Sequence, residues 1–158
     1  MEMPKPSAGH RRLEELAGDW EGEEMMYPSP WDPKGGTAIG RIRSRSALNG
    51  FAVINDYEQE RDGAITFTGH GVFTYDPKAD VYSLVWFDCM GVVPEIFKGQ
   101  FEGNILRLAH GGPGTHVRLT YDLREAGFLS TGMEMSQDGS TWNRFFDGRL
   151  RHLDANSA

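Results

Sequence analysis

The chain has 158 residues, 23 of them acidic and 16 basic, for a net charge of −7, which is length enough for one domain whose core needs neither disulfides nor a structural metal. That acidic balance opposes non-specific attachment to phosphate backbones, so nucleic acid is not expected as a partner. A lone cysteine, Cys89, rules out an internal disulfide and any two-cysteine zinc or redox motif, and it suits a reducing compartment.

Met1 to Gly9 has no apolar run behind its lysine, and nowhere is there an apolar stretch of membrane-spanning length. Cytoplasmic residence without a membrane partner is therefore expected. Residues 1–8 read as a loose arm. Ser7 is placed to cap a short helix whose apolar positions Leu13, Leu16 and Ala17 share one side, with Gly18 as its left-handed stop. The spacing then changes to that of a strand. From Asp19 to Tyr27, Trp20, Gly22, Glu24 and Met26 fall on one face, and Glu21, Glu23, Met25 and Tyr27 on the other. A large ring beside a helix has an obvious packing role, so Trp20 is expected to seal the base of a barrel. Tyr27 to Gly36, YPSPWDPKGG, carries three prolines and is expected to form a long loop with the aromatics of a lid.

After it, turn signals recur at hairpin spacing: Asn49-Gly50, Asp62-Gly63, Asp76-Pro77, Met90-Gly91, Gly103-Asn104, Gly111 to Gly114, Glu125 to Gly127 and Asp138-Gly139. Between them the β-branched and aromatic runs predict strands over Thr37 to Leu48, Phe51 to Glu60, Ala64 to Tyr75, Val81 to Asp88 and Val93 to Glu102. Further strands are predicted over Ile105 to His110, Thr115 to Leu123, Phe128 to Ser136 and Thr141 to Leu150. With Asp19 to Tyr27 that makes about ten antiparallel strands, and no helical period interrupts them. Closure into an up-and-down barrel is expected, because a meander of that size otherwise leaves two long edges unpaired.

The order of spaced motifs resembles a known family. They run LAGDWEGEE, Ala47-Leu48-Asn49-Gly50, Thr68-Gly69-His70-Gly71-Val72 with Tyr75-Asp76, Trp86-Phe87-Asp88, Arg118 to Asp122 and Met135 to Gly139. From about Leu13 to Arg151 this is similar to the bacterial family of domain of unknown function 1579, and the likeness implies a lipocalin-like barrel without naming an activity. A second likeness is to the nitrobindin type of haem barrel, which opens with Gly-x-Trp-x-Gly followed by Tyr-Pro, as in Met26-Tyr27-Pro28. It implies a late histidine ligating iron, for which His152 is the candidate.

Several residues invite a functional reading. Arg41, Arg43 and Arg45 alternate on one face, where buried guanidinium groups would be costly, so that face is expected to be solvated. His70 lies between two glycines that permit close approach of a backbone or a ligand. Tyr82, Leu84, Trp86 and Asp88 mix aromatics with a terminal carboxylate, as the wall and rim of a cavity would. Arg118 and Glu134 would form a polar patch if both turned inward, and the Ser136 to Trp142 segment reads as an Asp-Gly hairpin. No nucleophile elbow, phosphate loop or paired-histidine metal motif is present in the sequence.

The expectation is thus an all-β, antiparallel, lipocalin-like barrel of about ten strands with a short N-terminal helix. It forms one domain over residues 1–158, with 152–158 as a loose C-terminal tail. Its expected function is non-covalent binding of a small, mostly apolar ligand in the lumen through Tyr57, His70, Trp86, Arg118 and Glu134. No catalytic residue, metal or cofactor is expected. A haem or enzymatic barrel, and a filled barrel acting through its surface or as a homo-oligomer, are the alternatives. Strand parity decides among the contacts, since a one-residue bulge exchanges a strand's two rows.

Overall fold

The computed structural model describes residues 1–154. A helical turn, α1 (Ala8–Arg12), runs into a 3-10 turn over Leu13–Leu16 and is followed by ten strands, with one further 3-10 turn, Leu48–Gly50, between the second and third. These are β1 (Gly18–Met26), β2 (Gly36–Ala47), β3 (Ala52–Arg61), β4 (Ala64–Asp76), β5 (Val81–Asp88), β6 (Glu95–Glu102), β7 (Ile105–Gly112), β8 (Thr115–Asp122), β9 (Phe128–Ser136) and β10 (Asn143–His152). Each pairs antiparallel with its neighbour in sequence, except that β10 pairs with β1 across a seam in place of a long turn, and the sheet closes in the order β1-β10-β9-β8-β7-β6-β5-β4-β3-β2. Closure leaves no edge strand.

The helical segment plugs one end. Ser7 stands extended before α1, its N–H donating to His10 Nδ1 at 3.1 Å, and the buried His10 ring lies edge-on between Phe51 and Tyr75. Leu13 and Leu16 point into the barrel, and the Trp20 indole N–H donates to the Leu16 carbonyl at 3.0 Å, so Trp20 seals the base as expected. The expected stop at Gly18 is displaced. Ala17 already takes extended geometry, and Gly18 opens β1 at φ 130°, where an added Cβ would meet His152 Nε2 at 2.2 Å. The C-terminal boundary also differs: His152 belongs to β10, and the Leu153 N–H donates to the Asp19 carbonyl at 2.7 Å. The remainder of the expected tail, 155–158, lies outside the described residues.

Alternation along every strand sets one row inward. Next to the plug that row is large and apolar, with Ile42, Val53, Phe73, Leu84, Leu106, Leu129 and Leu150 fully buried, so this half of the lumen is filled by side chains. Two bulges occur, both at the opposite end. Thr66 is the extra residue where Gln59 pairs with Phe67 and Glu60 with Ile65, and Phe145 is the extra residue between Arg144 and Phe146. Because they sit near the ends of their strands, the inward rows of the barrel wall keep their parity. No helix among the described residues is long and apolar enough to cross a membrane.

Candidate functional site

The end away from the plug is bordered by the loop between β1 and β2 and by the loop between β5 and β6. Here the inward rows become polar. Glu24, in the Trp20 row of β1, is 1% exposed. Tyr57 donates its hydroxyl to Glu24 Oε1 at 2.6 Å, and Gln59 from the same row of β3 reaches that oxygen at 3.5 Å and the Tyr57 hydroxyl at 3.1 Å. Glycines create the room. A Cβ on Gly40 would fall 2.5 Å from the Glu24 carboxyl, and one on Gly148 would fall 3.2 Å from Glu24 Cγ and 2.6 Å from Thr131 Oγ1. Glu24, Gly148 and Thr131 are in register across the seam, so carboxyl and hydroxyl face the same space beyond the glycine.

Trp86 supplies the facing wall. Its indole lies flat on β4 because Gly69 and Gly71 have no side chains there: added Cβ atoms would come within 2.1 Å and 3.1 Å of the ring. The close approach expected of the glycines around His70 is therefore an approach by Trp86, on the face opposite the histidine. Trp86 and Tyr57 have ring centroids 6.3 Å apart, and Phe67 stands 6.0 Å from Tyr57. Met133 and Met135 pack against the core from β9.

Desolvation dominates the electrostatics of this cluster. Burial raises the Glu24 carboxyl above the ordinary range, with the Tyr57 and Gln59 hydrogen bonds offsetting part of the effect. Burial and the neighbouring carboxylate push the Tyr57 phenol up, which keeps it a neutral donor. Three buried polar atoms in the inward rows, Ser44 Oγ, Asn55 Oδ1 and Thr131 Oγ1, have no hydrogen-bond partner among the described residues. Buried polar atoms normally have partners, so these three are exceptions gathered in one lumen.

At the rim Asp88 accepts the Trp86 indole N–H at 3.0 Å, and Glu95 lies 3.9 Å from His110. The loop after β1 is tethered here as expected of a segment near the mouth. Arg61 pairs with Asp32 at 2.7 Å and donates to the Gly35 carbonyl at 3.0 Å, while Trp31 is 74% exposed and lies edge-on to Phe145.

Of the five expected contacts, Tyr57 and Trp86 face inward and come together. The other three do not. His70 is on the outer face, 2.6 Å from Asp56, because its row alternates with the inward Gly69, Gly71 and Phe73. Arg118 and Glu134 pair at 3.2 Å, also outside, with the guanidinium 3.6 Å from the centroid of the Trp142 ring. Solvation of both charges outside the wall costs less than burial within it. Arg41 likewise lies outside, held by Glu21, Glu58 and Glu60. The residue that sequence reasoning missed is Glu24. Its signal was parity, since it shares a row with the plug residue Trp20.

His152 does not fit an iron ligand. Its Nε2 points at the Gly18 backbone and its ring lies against Trp20, with centroids 4.6 Å apart, so iron held by that nitrogen would overlap β1.

The sequence profile described as "Protein of unknown function (DUF1579)" matches residues 5–152. No curated protein matches the chain in sequence. Among solved structures the barrel is similar to the crystal structure of Rv2717c from M. tuberculosis, at 14% identity and a TM-score of 0.68, over 94% of this chain and 99% of that one. At such identity the likeness shows the fold alone.

Proposed function

The chain belongs to the DUF1579 family of proteins of unknown function, and from that premise we propose that it binds a small, mostly apolar molecule non-covalently in the half of the lumen away from the plug, hereafter the open half. The observation that carries this reading is the buried cluster of Glu24, Tyr57 and Gln59, with Asn55 Oδ1 and Thr131 Oγ1 left without partners beside it. A pocket with a mostly apolar wall and a few convergent polar groups is the usual form of a small-molecule site. Trp86, Phe67, Met133 and Met135 provide the wall, and the polar cluster orients one end of the ligand. Cytoplasmic residence is consistent with the exposed free thiol of Cys89.

Native mass spectrometry of the protein purified from its own host tests this, with denaturing analysis of whatever is released. The expected result is one small molecule per chain, with occupancy reduced at least about tenfold in Trp86→Ala and unchanged in Arg118→Ala. The opposite pattern of loss would return the site to the outer face.

A filled scaffold is the second reading, and one observation favours it. Two grooves, of about 290 Å³ and 210 Å³, lie outside the wall, the first between Arg41, Arg43, Asp56 and Thr68 and the second between Thr120, Gly132, Glu134 and Asp147. An empty chain that also takes up no apolar probe would support that reading.

A further inference from the structure

The inward rows of the open half differ in sign from a site built for fatty acids or other anions. They carry Glu24 within and Asp88 and Glu95 at the rim; Arg61, the last residue of the Tyr57 row of β3, is turned to the loop after β1, paired with Asp32 at 2.7 Å and donating to the Gly35 carbonyl, and Arg41, Arg43 and Arg45 belong to the outward row of β2. His110 can also become cationic, and it too is engaged at the rim, its Nδ1 3.0 Å from the Ile96 carbonyl oxygen and its Nε2 3.9 Å from Glu95. A ligand carboxylate would thus meet Glu24 with both of these cations already held by their own partners, and like charges in one buried site repel.

The unpartnered polar atoms of the cluster can all accept a hydrogen bond. Glu24 supplies carboxylate acceptors, Asn55 Oδ1 is an unpartnered acceptor on a residue 4% exposed, and Thr131 Oγ1 is unpartnered beside Glu24 across Gly148. An ammonium group has three donors and accepts nothing. The Trp86 and Tyr57 rings, 6.3 Å apart, offer it negative π-faces as well. Acidic groups around a low-dielectric mouth also concentrate cations at the entrance.

Resting on the lumen-binding reading above, we infer that the open half of the barrel selects a small apolar molecule bearing a basic nitrogen, an alkyl- or arylamine, and rejects carboxylate-bearing lipids. Glu24 is the counter-ion, and the wall around Trp86 takes the apolar part.

The test is calorimetric titration of the full chain at pH 7 with three probes of one chain length: octylamine, octanol and octanoate. Octylamine is expected to bind about tenfold tighter than octanol, the scale of a hydrogen bond to a charged group, and octanoate about tenfold or more weaker than octanol. Glu24→Gln should remove the amine's advantage and leave octanol binding within about twofold. Glu102→Gln makes the same change in net charge on the outer face, where Glu102 pairs with Arg107 at 2.8 Å, and should preserve the advantage. Octanol or octanoate binding as tightly as octylamine would overturn the amine selectivity and leave lumen binding standing. Binding of none of the three would overturn both. An amine preference that survives Glu24→Gln would also overturn the inference. If that variant does not fold, the ¹³C resonance of the Glu24 carboxyl in the unaltered chain replaces it: it must move on adding octylamine, and a stationary resonance contradicts the assignment.

Discussion

Glu24 and Asp138 are carboxylates displaced in opposite directions, and both have consequences for stability. Burial raises Glu24, so the folded state binds its proton more tightly than the unfolded chain does. Its contribution is then fully present below the unfolded value of 4.5 and is lost as pH rises through the folded value. Glu24→Gln, which cannot ionise, is expected to show no such loss. Urea unfolding of both proteins from pH 4 to pH 8 should give a stability difference that moves in favour of the variant as pH rises. Asp138 is the reverse case. The Thr141, Ser140 and Ser136 donors hold it at about 2 against an ordinary 3.8, so its contribution is present above the ordinary value and lost as pH falls through about 2. At Gly69, replacement by alanine drives a methyl into the Trp86 ring. A loss of about 1–3 kcal/mol is expected for such overpacking, with a changed Trp86 emission spectrum. A denaturation midpoint equal to that of the parent chain would show that the ring does not need β4 bare.

Strand ends were legible wherever side chains alone decide them, as at Val81–Asp88 and Phe128–Ser136. They were less legible where a backbone donor is missing or spent. β6 starts at Glu95 and not at Val93 because Pro94 has no N–H to give the ladder. β10 starts at Asn143 and not at Thr141 because the Thr141 N–H already donates to Asp138 Oδ1 at 2.8 Å. It continues to His152 because that residue's N–H finds the Gly127 carbonyl at 2.8 Å, a contact no local pattern announces. The plug is an element of the same kind, short and helpless alone, since helices of this length are not stable in water. Its stability is borrowed from Trp20, which both fills the base and ties down the last carbonyl of the 3-10 turn. Trp20→Ala is expected to cost about 3–5 kcal/mol, measured by urea unfolding. Release of the helical segment should accompany it, seen as faster amide exchange from Ala8 to Leu16 than in the parent chain.

At the scale of the whole molecule, closure converts a sequence alternation into an inside and an outside. That choice accounts for most of what was misplaced. The number of strands and their antiparallel order follow from turn spacing, but His70, Arg118 and Glu134 could not be turned outward from their own letters. Their orientation depends on which row meets the plug. Once Trp20 is taken as inward, Glu24 follows along β1, then Ile42 and Tyr57 across β2 and β3, then Gly69 on β4. The cluster also straddles the seam, where Glu24 faces Thr131 over Gly148 from opposite ends of the chain. Such a pairing is set by closure and leaves no mark on local composition. The result is a barrel with two unlike halves, one filled by aliphatic and aromatic side chains, the other acidic and hydrogen-bonding within an aromatic wall.

The four tryptophans report on four different places: Trp20 at the plug, Trp31 in the loop at the mouth, Trp86 in the open half and Trp142 outside beneath Arg118. Titration of ¹⁵N-labelled protein with octanol, following the four indole N–H resonances, therefore locates any bound apolar molecule directly. Seating in the open half predicts a saturable shift of Trp86, a smaller one of Trp31, and none at Trp20 or Trp142. A saturable shift confined to Trp142, or a Trp86 resonance that does not move, would contradict the account.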